Sequence, residues 1–143
     1  MKFVGTLQLP GDKSISHRAI MLSAIADGVS YVRNLNDGAD LQSTINILKQ
    51  CGASIKQRNN EIIIDGKELQ SPSKELDCGN SGTTTRLIAG LLASQKLTFS
   101  LVGDESLSKR PMKRIITPLK EMGCKISSNL SLIHISEPTR QLQ

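Results

Sequence analysis

Aromatic side chains are nearly missing from this chain: it has no tryptophan, one tyrosine (Tyr31) and two phenylalanines (Phe3 and Phe99). The core must therefore be aliphatic, and base-stacking recognition of single-stranded nucleic acid, which needs aromatic faces, is disfavoured. No stretch approaches the ~20 consecutive apolar residues of a membrane-spanning helix, and the N-terminal MKFVGTLQLPGDK has no apolar signal-peptide centre. Cysteines are few and odd in number. Cys51, Cys78 and Cys124 show no C-x-x-C spacing and no histidine pair beside them. Such a set excludes a disulfide framework and a zinc site, and predicts reduced, mostly buried thiols in a soluble, cytoplasmic protein.

Runs of like charge are missing too. The chain carries 18 Lys+Arg against 13 Asp+Glu, a formal net charge of +5, but the cations sit singly at Gly- and Ser-rich corners. That placement suits small anions better than nucleic acid, whose binders gather cations into patches. With 143 residues, 38% of them hydrophobic, there is enough chain for a real core.

What is present is an internal repeat. SISHRAIMLSAIADGVSYVRNL is followed by NDGADLQSTINILKQCGASI, and GTTTRLIAGLLASQKLTFSLVG by DESLSKRPMKRIITPLKEMGCKI. Each copy places an arginine early in an apolar helix, then a short strand, a polar turn and a second helix. The second helices close on LKQCGASI and LKEMGCKI, with Gly52 and Gly123 where a helix C-terminus takes a left-handed residue. Arg18 to Arg86 is a shift of 68 and Leu48 to Leu119 one of 71, so the second copy carries extra residues, placed in the SLSKRP turn. Two β-rich runs around Arg58-Asn59-Asn60 read as a hairpin.

The unit is thus β-α-β-α-β-β, an α/β architecture with mixed sheets and packed helices. Residues 1–12 read as an entering strand (KFVGTLQL) and hinge, and 13–70 as the first unit. Residues 71–128 form a second, incomplete unit entered near Leu76–Cys78, with Ser71-Pro72-Ser73 as the link. Residues 129–143 read as a foreign or disordered tail, although SLIHIS alternates like a strand.

The chemistry concentrates at helix starts, where unpaired N–H groups and the macrodipole favour an anion. In LPGDKSISHRAIML, Pro10-Gly11 turns the chain and Lys13 sits just ahead of a helix. Ser14 either caps that helix or offers its hydroxyl, and Arg18 shares its face four residues on. His17 reads as a local hydrogen-bonding or cap residue rather than a catalyst. In CGNSGTTTRLIAG, Gly82 lets the backbone approach a ligand and Arg86 follows four residues later, with Asn80 just before. The loop is not a Walker A, since no G-x-x-x-x-G-K-[ST] occurs. In KRPMKRIITPLKEMG, Pro111 suits the first position of a helix and sets Arg110 at its mouth as an anion ligand. Three cationic helix mouths predict a cleft for two small anions, or for one with several charges.

LPGDKSISHRA, GNSGTTTR and RPM, in this order, resemble the 5-enolpyruvylshikimate-3-phosphate synthases over Val4 to about Ile126, in the bacterial form with GNSGTTTR rather than GNAGTAMR. The resemblance implies two lobes of three β-α-β-α-β-β units each, about two of the six being present. It implies transfer of the enolpyruvyl group of phosphoenolpyruvate to the 5-hydroxyl of shikimate 3-phosphate, releasing phosphate, with no cofactor or metal. Carried over by position, Lys13 contacts both substrates; Ser14 and Arg18 hold shikimate 3-phosphate; Gly82 and Arg110 bind phosphoenolpyruvate, with Asn80 and Arg86 beside them. The family's acid–base carboxylates lie in units beyond these, so the resemblance implies half an active site and no turnover by this chain alone. It further implies a monomeric complete enzyme with only small anionic partners, neither membrane nor nucleic acid.

Two alternatives stand beside it. The sister enolpyruvyl transferase acting on UDP-N-acetylglucosamine shares fold and donor, but it has Lys-Asn where this chain has Lys13-Ser14. Its mobile loop carries a reactive cysteine, where GDESLSKRPM has none. A non-catalytic basic nucleic-acid-binding module is marked by steep salt dependence.

Overall fold

Helix α1 (Lys13–Ile25) begins directly after the Pro10-Gly11 turn, because Asp12 caps it: the Asp12 carboxylate accepts from the Ile15 N–H at 2.8 Å. Its buried residues, Ser16, His17, Ile20, Met21 and Ala24, recur at three- and four-residue steps and so form one inward stripe. The structure, a computed structural model, describes residues 4–129 and 132–136. Strand β1 (Gly28–Arg33), helix α2 (Ala39–Gln50), β2 (Ser54–Arg58) and β3 (Glu61–Gly66) complete the first unit. Its sheet has the order β1-β3-β2 with both pairings antiparallel, and Ile63 faces Tyr31 on one side and Lys56 on the other. Gly52 adopts φ +90° after α2 and Gly123 φ +98° after the last helix, as their sequence positions predict. Asn59, φ 47°, makes the β2–β3 turn.

The second unit repeats the order: β4 (Leu76–Asp77), α3 (Gly82–Ser94), β5 (Phe99–Val102), α4 (Glu105–Ser108), α5 (Lys113–Glu121), β6 (Lys125–Ser128) and β7 (Leu132–Ser136). Its sheet is mixed, in the order β4-β5-β7-β6, with β4 parallel to β5 and the other pairs antiparallel. The extra residues of this copy form α4, a one-turn helix capped by Asp104. Helices α1, α2 and α3 pack against one another, and a single aliphatic core runs through both units, from Ile20, Leu48 and Ile64 to Ile88, Leu101 and Ile135.

Two expectations are corrected. Residues 4–9, read as the entering strand, are exposed and irregular: among the described residues no strand pairs with them, and exposure leaves their backbone groups open to solvent. Part of the stretch read as a disordered tail is ordered. Leu132–Ser136 inserts between β5 and β6 and buries Ile133 and Ile135, so its alternating pattern finds a core face. The rest of that tail reading, residues 137–143 with 130–131, lies outside the described residues.

Candidate functional site: clustered helix mouths

The first-unit cations stand where α1 opens. Lys13 is the first residue of the helix rather than just ahead of it, and Ser14 is the second, because Asp12 takes the cap. The Ser14 hydroxyl is therefore not the helix cap; both it and Arg18 are exposed. Lys13 forms an ion pair with Asp40, in the first turn of α2. The hydrogen bond from Lys13 holds the Asp40 carboxyl below the ordinary aspartate range, and a hydrogen bond from Ser81 adds to this. Since Ser81 is the N-cap of α3, accepting from the Thr84 N–H at 3.0 Å, Asp40 bridges the mouths of α1 and α3.

Gly82 opens α3, as its helix-start reading requires. A Cβ placed there would lie 2.9 Å from Nη1 of Arg86 and 3.3 Å from Nη1 of Arg110, so two guanidinium groups flank one glycine at a helix N-terminus. Arg110 is corrected in one respect. Helix α5 starts at Lys113 with Met112 as its cap, so Pro111 precedes it and Arg110 serves the mouth of α3 instead. Its other nitrogen, Nη2, donates to Asn80 Oδ1 at 2.7 Å, and Asn80 Nδ2 donates to Asp104 Oδ2 at 2.8 Å. Asp104 in turn accepts from Leu107 N–H at 2.8 Å; the Asn80 hydrogen bond first, then the backbone one, keeps its carboxyl low. Asn80 is therefore a bracket that aims Arg110.

Sequence reasoning missed Asp40, Ser81, Thr44 and Asp104. Asp40 carried a signal, an acid in the first turn of a helix, but nothing local says which neighbouring helix that acid faces. His17 is fully buried rather than a local cap: Nδ1 lies 2.8 Å from Thr44 Oγ1, and burial lowers its pKa. The three cysteines are buried, and burial pushes the Cys51 and Cys78 thiols up to about 11. A cavity of about 460 Å³ opens beside the N-terminus of α5, with Met112 and Lys113 in its wall. It is walled by Leu101, Leu107, Met112, Ile116 and Ile133 among others, and of the sequence-predicted site residues only Arg110 reaches it.

Two repeated α-β-α-β-β units, the second entered by the short strand β4, define a class: α/β proteins built by unit repetition, here with cationic side chains gathered at helix starts. The EPSP synthase (3-phosphoshikimate 1-carboxyvinyltransferase) family model matches residues 1–140, and the chain belongs to that family. The 3-phosphoshikimate 1-carboxyvinyltransferases of Streptococcus pyogenes serotype M49 (strain NZ131) and serotype M4 (strain MGAS10750) are each 51% identical to it over 126 residues, covering 86% of this chain and 30% of their own length. A solved structure of EPSP synthase from Acinetobacter baumannii superposes with a TM-score of 0.85 at 41% identity, over 92% of this chain and 32% of that one. The chain thus spans about a third of the length of the relatives it matches. Among the described residues, no helix is long and apolar enough to cross a membrane.

Proposed function

We propose that this chain carries the substrate-seating part of an enolpyruvyl transferase that joins phosphoenolpyruvate to the 5-hydroxyl of shikimate 3-phosphate and releases phosphate. Lys13, Ser14 and Arg18 seat shikimate 3-phosphate. Gly82 and Arg110 seat phosphoenolpyruvate, with Lys13 shared between the two, and Asn80 and Arg86 support that seat. The observation that carries the reading is the pair of guanidinium Nη1 atoms beside Gly82 at the N-terminus of α3. Fixed cations and free amides suit an addition–elimination in which the hydroxyl gives up its proton and attacks C2 as C3 takes one, after which C3 gives up a proton as phosphate leaves and the C2–C3 double bond re-forms. The negative charge of phosphate and carboxylate stays held while the geometry at C2 changes. Lys13 meets the incoming anion already paired to Asp40, so the anion takes over a cation that is in place, at the cost of displacing a carboxylate.

The carboxylates for proton transfer belong to the remaining two thirds of the family's length, so the chain binds but does not turn over. We assign it to the cytoplasm, as a component of a monomeric enzyme whose partners are these two substrates alone. The test is a side-by-side titration of the chain with shikimate 3-phosphate and with duplex DNA, together with an assay of phosphate release from both substrates. Saturable binding of shikimate 3-phosphate, with weak and steeply salt-dependent DNA binding and no phosphate release, is expected. Tight DNA binding without shikimate 3-phosphate binding overturns the reading; release at an enzyme-like rate overturns the division of labour.

A further inference from the structure

A buried polar chain lies one helical turn below the N-termini of α1, α2 and α3. His17 Nδ1 is 2.8 Å from Thr44 Oγ1, Thr44 Oγ1 is 3.0 Å from Thr84 Oγ1, and the Thr84 hydroxyl is 3.1 Å from the Asp40 carbonyl oxygen. His17, Thr44 and Thr84 are each 0% exposed, so water does not compete for these bonds. They come from three helices, α1, α2 and α3. His17 follows Lys13 by four residues, Thr44 follows Asp40 by four, and Thr84 follows the cap Ser81 by three. Each therefore lies beneath a residue of its own helix mouth, on the same face. None was explained by the anion seat itself.

The direction of the chain follows from its far end. A backbone carbonyl only accepts, so Thr84 spends its one hydroxyl proton on Asp40 O. Thr84 Oγ1 then accepts from Thr44, whose own proton is thereby used. Thr44 Oγ1 can only accept from His17, which requires the proton on Nδ1. The last atom, Nε2, is buried and has no hydrogen-bond partner among the described residues. A proton there would have no acceptor, so the imidazole is held neutral with its lone pair on Nε2. The charged groups that act on it are Asp40 from α2, which favours protonation, and Lys13 on α1, which opposes it; burial outweighs both. No charged group of α3 is among those that act on it.

We propose that His17, Thr44 and Thr84 are positioning residues: a one-way hydrogen-bond chain from the Nδ1–H of a neutral imidazole locks α1, α2 and α3 in register, and so sets the separation of the two anion seats. The registry role rests on the functional reading above, whereas the direction of the chain does not. It accounts for a histidine and two threonines inside an otherwise aliphatic core, where valine or leucine would pack at no polar cost.

The experiment uses the 143-residue chain. The ring nitrogens of His17 are read by proton–nitrogen NMR between about pH 5 and 8, and shikimate 3-phosphate is titrated into the unaltered chain, Thr84→Val and Thr84→Ser. The unaltered chain and Thr84→Ser should show protonated Nδ1 and bare Nε2 throughout, with equal affinities. Thr84→Val keeps the volume but ends the chain; it should lose the single tautomer and bind about tenfold more weakly, the effect of one modest hydrogen-bond network lost. A proton on Nε2 in the unaltered chain, or Thr84→Val with unchanged tautomer and affinity, overturns the proposal. If the unaltered chain shows the Nδ1 tautomer but no shikimate 3-phosphate binding, the functional reading falls, and the registry role with it.

Discussion

Replacing Gly82 by alanine separates stability from binding at one position. Gly82 is the first residue of α3 and its φ lies outside the left-handed region, so alanine fits the backbone. Less unfolded-state freedom should then raise stability by about 0.4–1 kcal/mol. The new methyl would stand 2.9 Å from Arg86 Nη1 and 3.3 Å from Arg110 Nη1. Ordinary contact begins at roughly 3.5 Å, so Arg86 must retreat by about 0.6 Å or more and Arg110 by a smaller step. Both are the far ends of flexible side chains and move at little cost to folding, but they move away from the anion. Loss of one charge-assisted hydrogen bond costs about 1.5–3 kcal/mol, or roughly a 10- to 100-fold weaker affinity. Calorimetric titration of Gly82→Ala with phosphoenolpyruvate, beside its thermal melt, tests this. A variant at least as stable as the original with weakened binding is expected; an unchanged Kd for phosphoenolpyruvate would refute the placement of the seat at Gly82.

Gly66→Ala should do the reverse. Its Cβ would fall on the carbonyl oxygen of Ala26, with Ser23 O at 2.7 Å, and backbone cannot step aside. A loss of about 3 kcal/mol, the upper range for overpacking, is expected in denaturant melts, with anion affinity unchanged in the folded fraction. Stability should also fall with acid in two stages. The folded-state pKa of His17 is lowered, so the unfolded chain binds the extra proton: stability is flat above about pH 6.5 and declines below it, by at most about 1.4 kcal/mol per pH unit. Asp40, also lowered, adds a second decline as pH drops below about 4, through the unfolded aspartate value toward the lower folded one. His17→Gln should remove the first stage and leave the second; a first stage that survives the substitution would show that another group causes it.

Local chemistry was legible in the sequence wherever it depends on near neighbours. Helix starts, the Arg58–Asn60 turn and the left-handed Gly52 and Gly123 follow from caps, turn residues and four-residue spacing, which act within a few residues along the chain. The repeat was legible because both copies must bury the same faces. The Ser14 cap was misplaced by two residues because Asp12 and Ser14 are both good caps, and local preference does not choose between them.

Partners distant in sequence were decided by packing. Arg110 aims at α3, 28 positions before it, because Asn80 and Asp104 hold it there and α5 starts too late to use it. Residues 4–9 are suited to a strand, but a strand forms only where a neighbour pairs with it, and among the described residues neither sheet takes them in. The sequence by itself determined where α1 and α3 begin and which cations follow four residues on, since capping and spacing are local. Only the tertiary structure decided that Asp40 joins the starts of α1 and α3 and that His17, Thr44 and Thr84 meet beneath the starts of α1, α2 and α3, because both require helices from different parts of the chain to pack in one register.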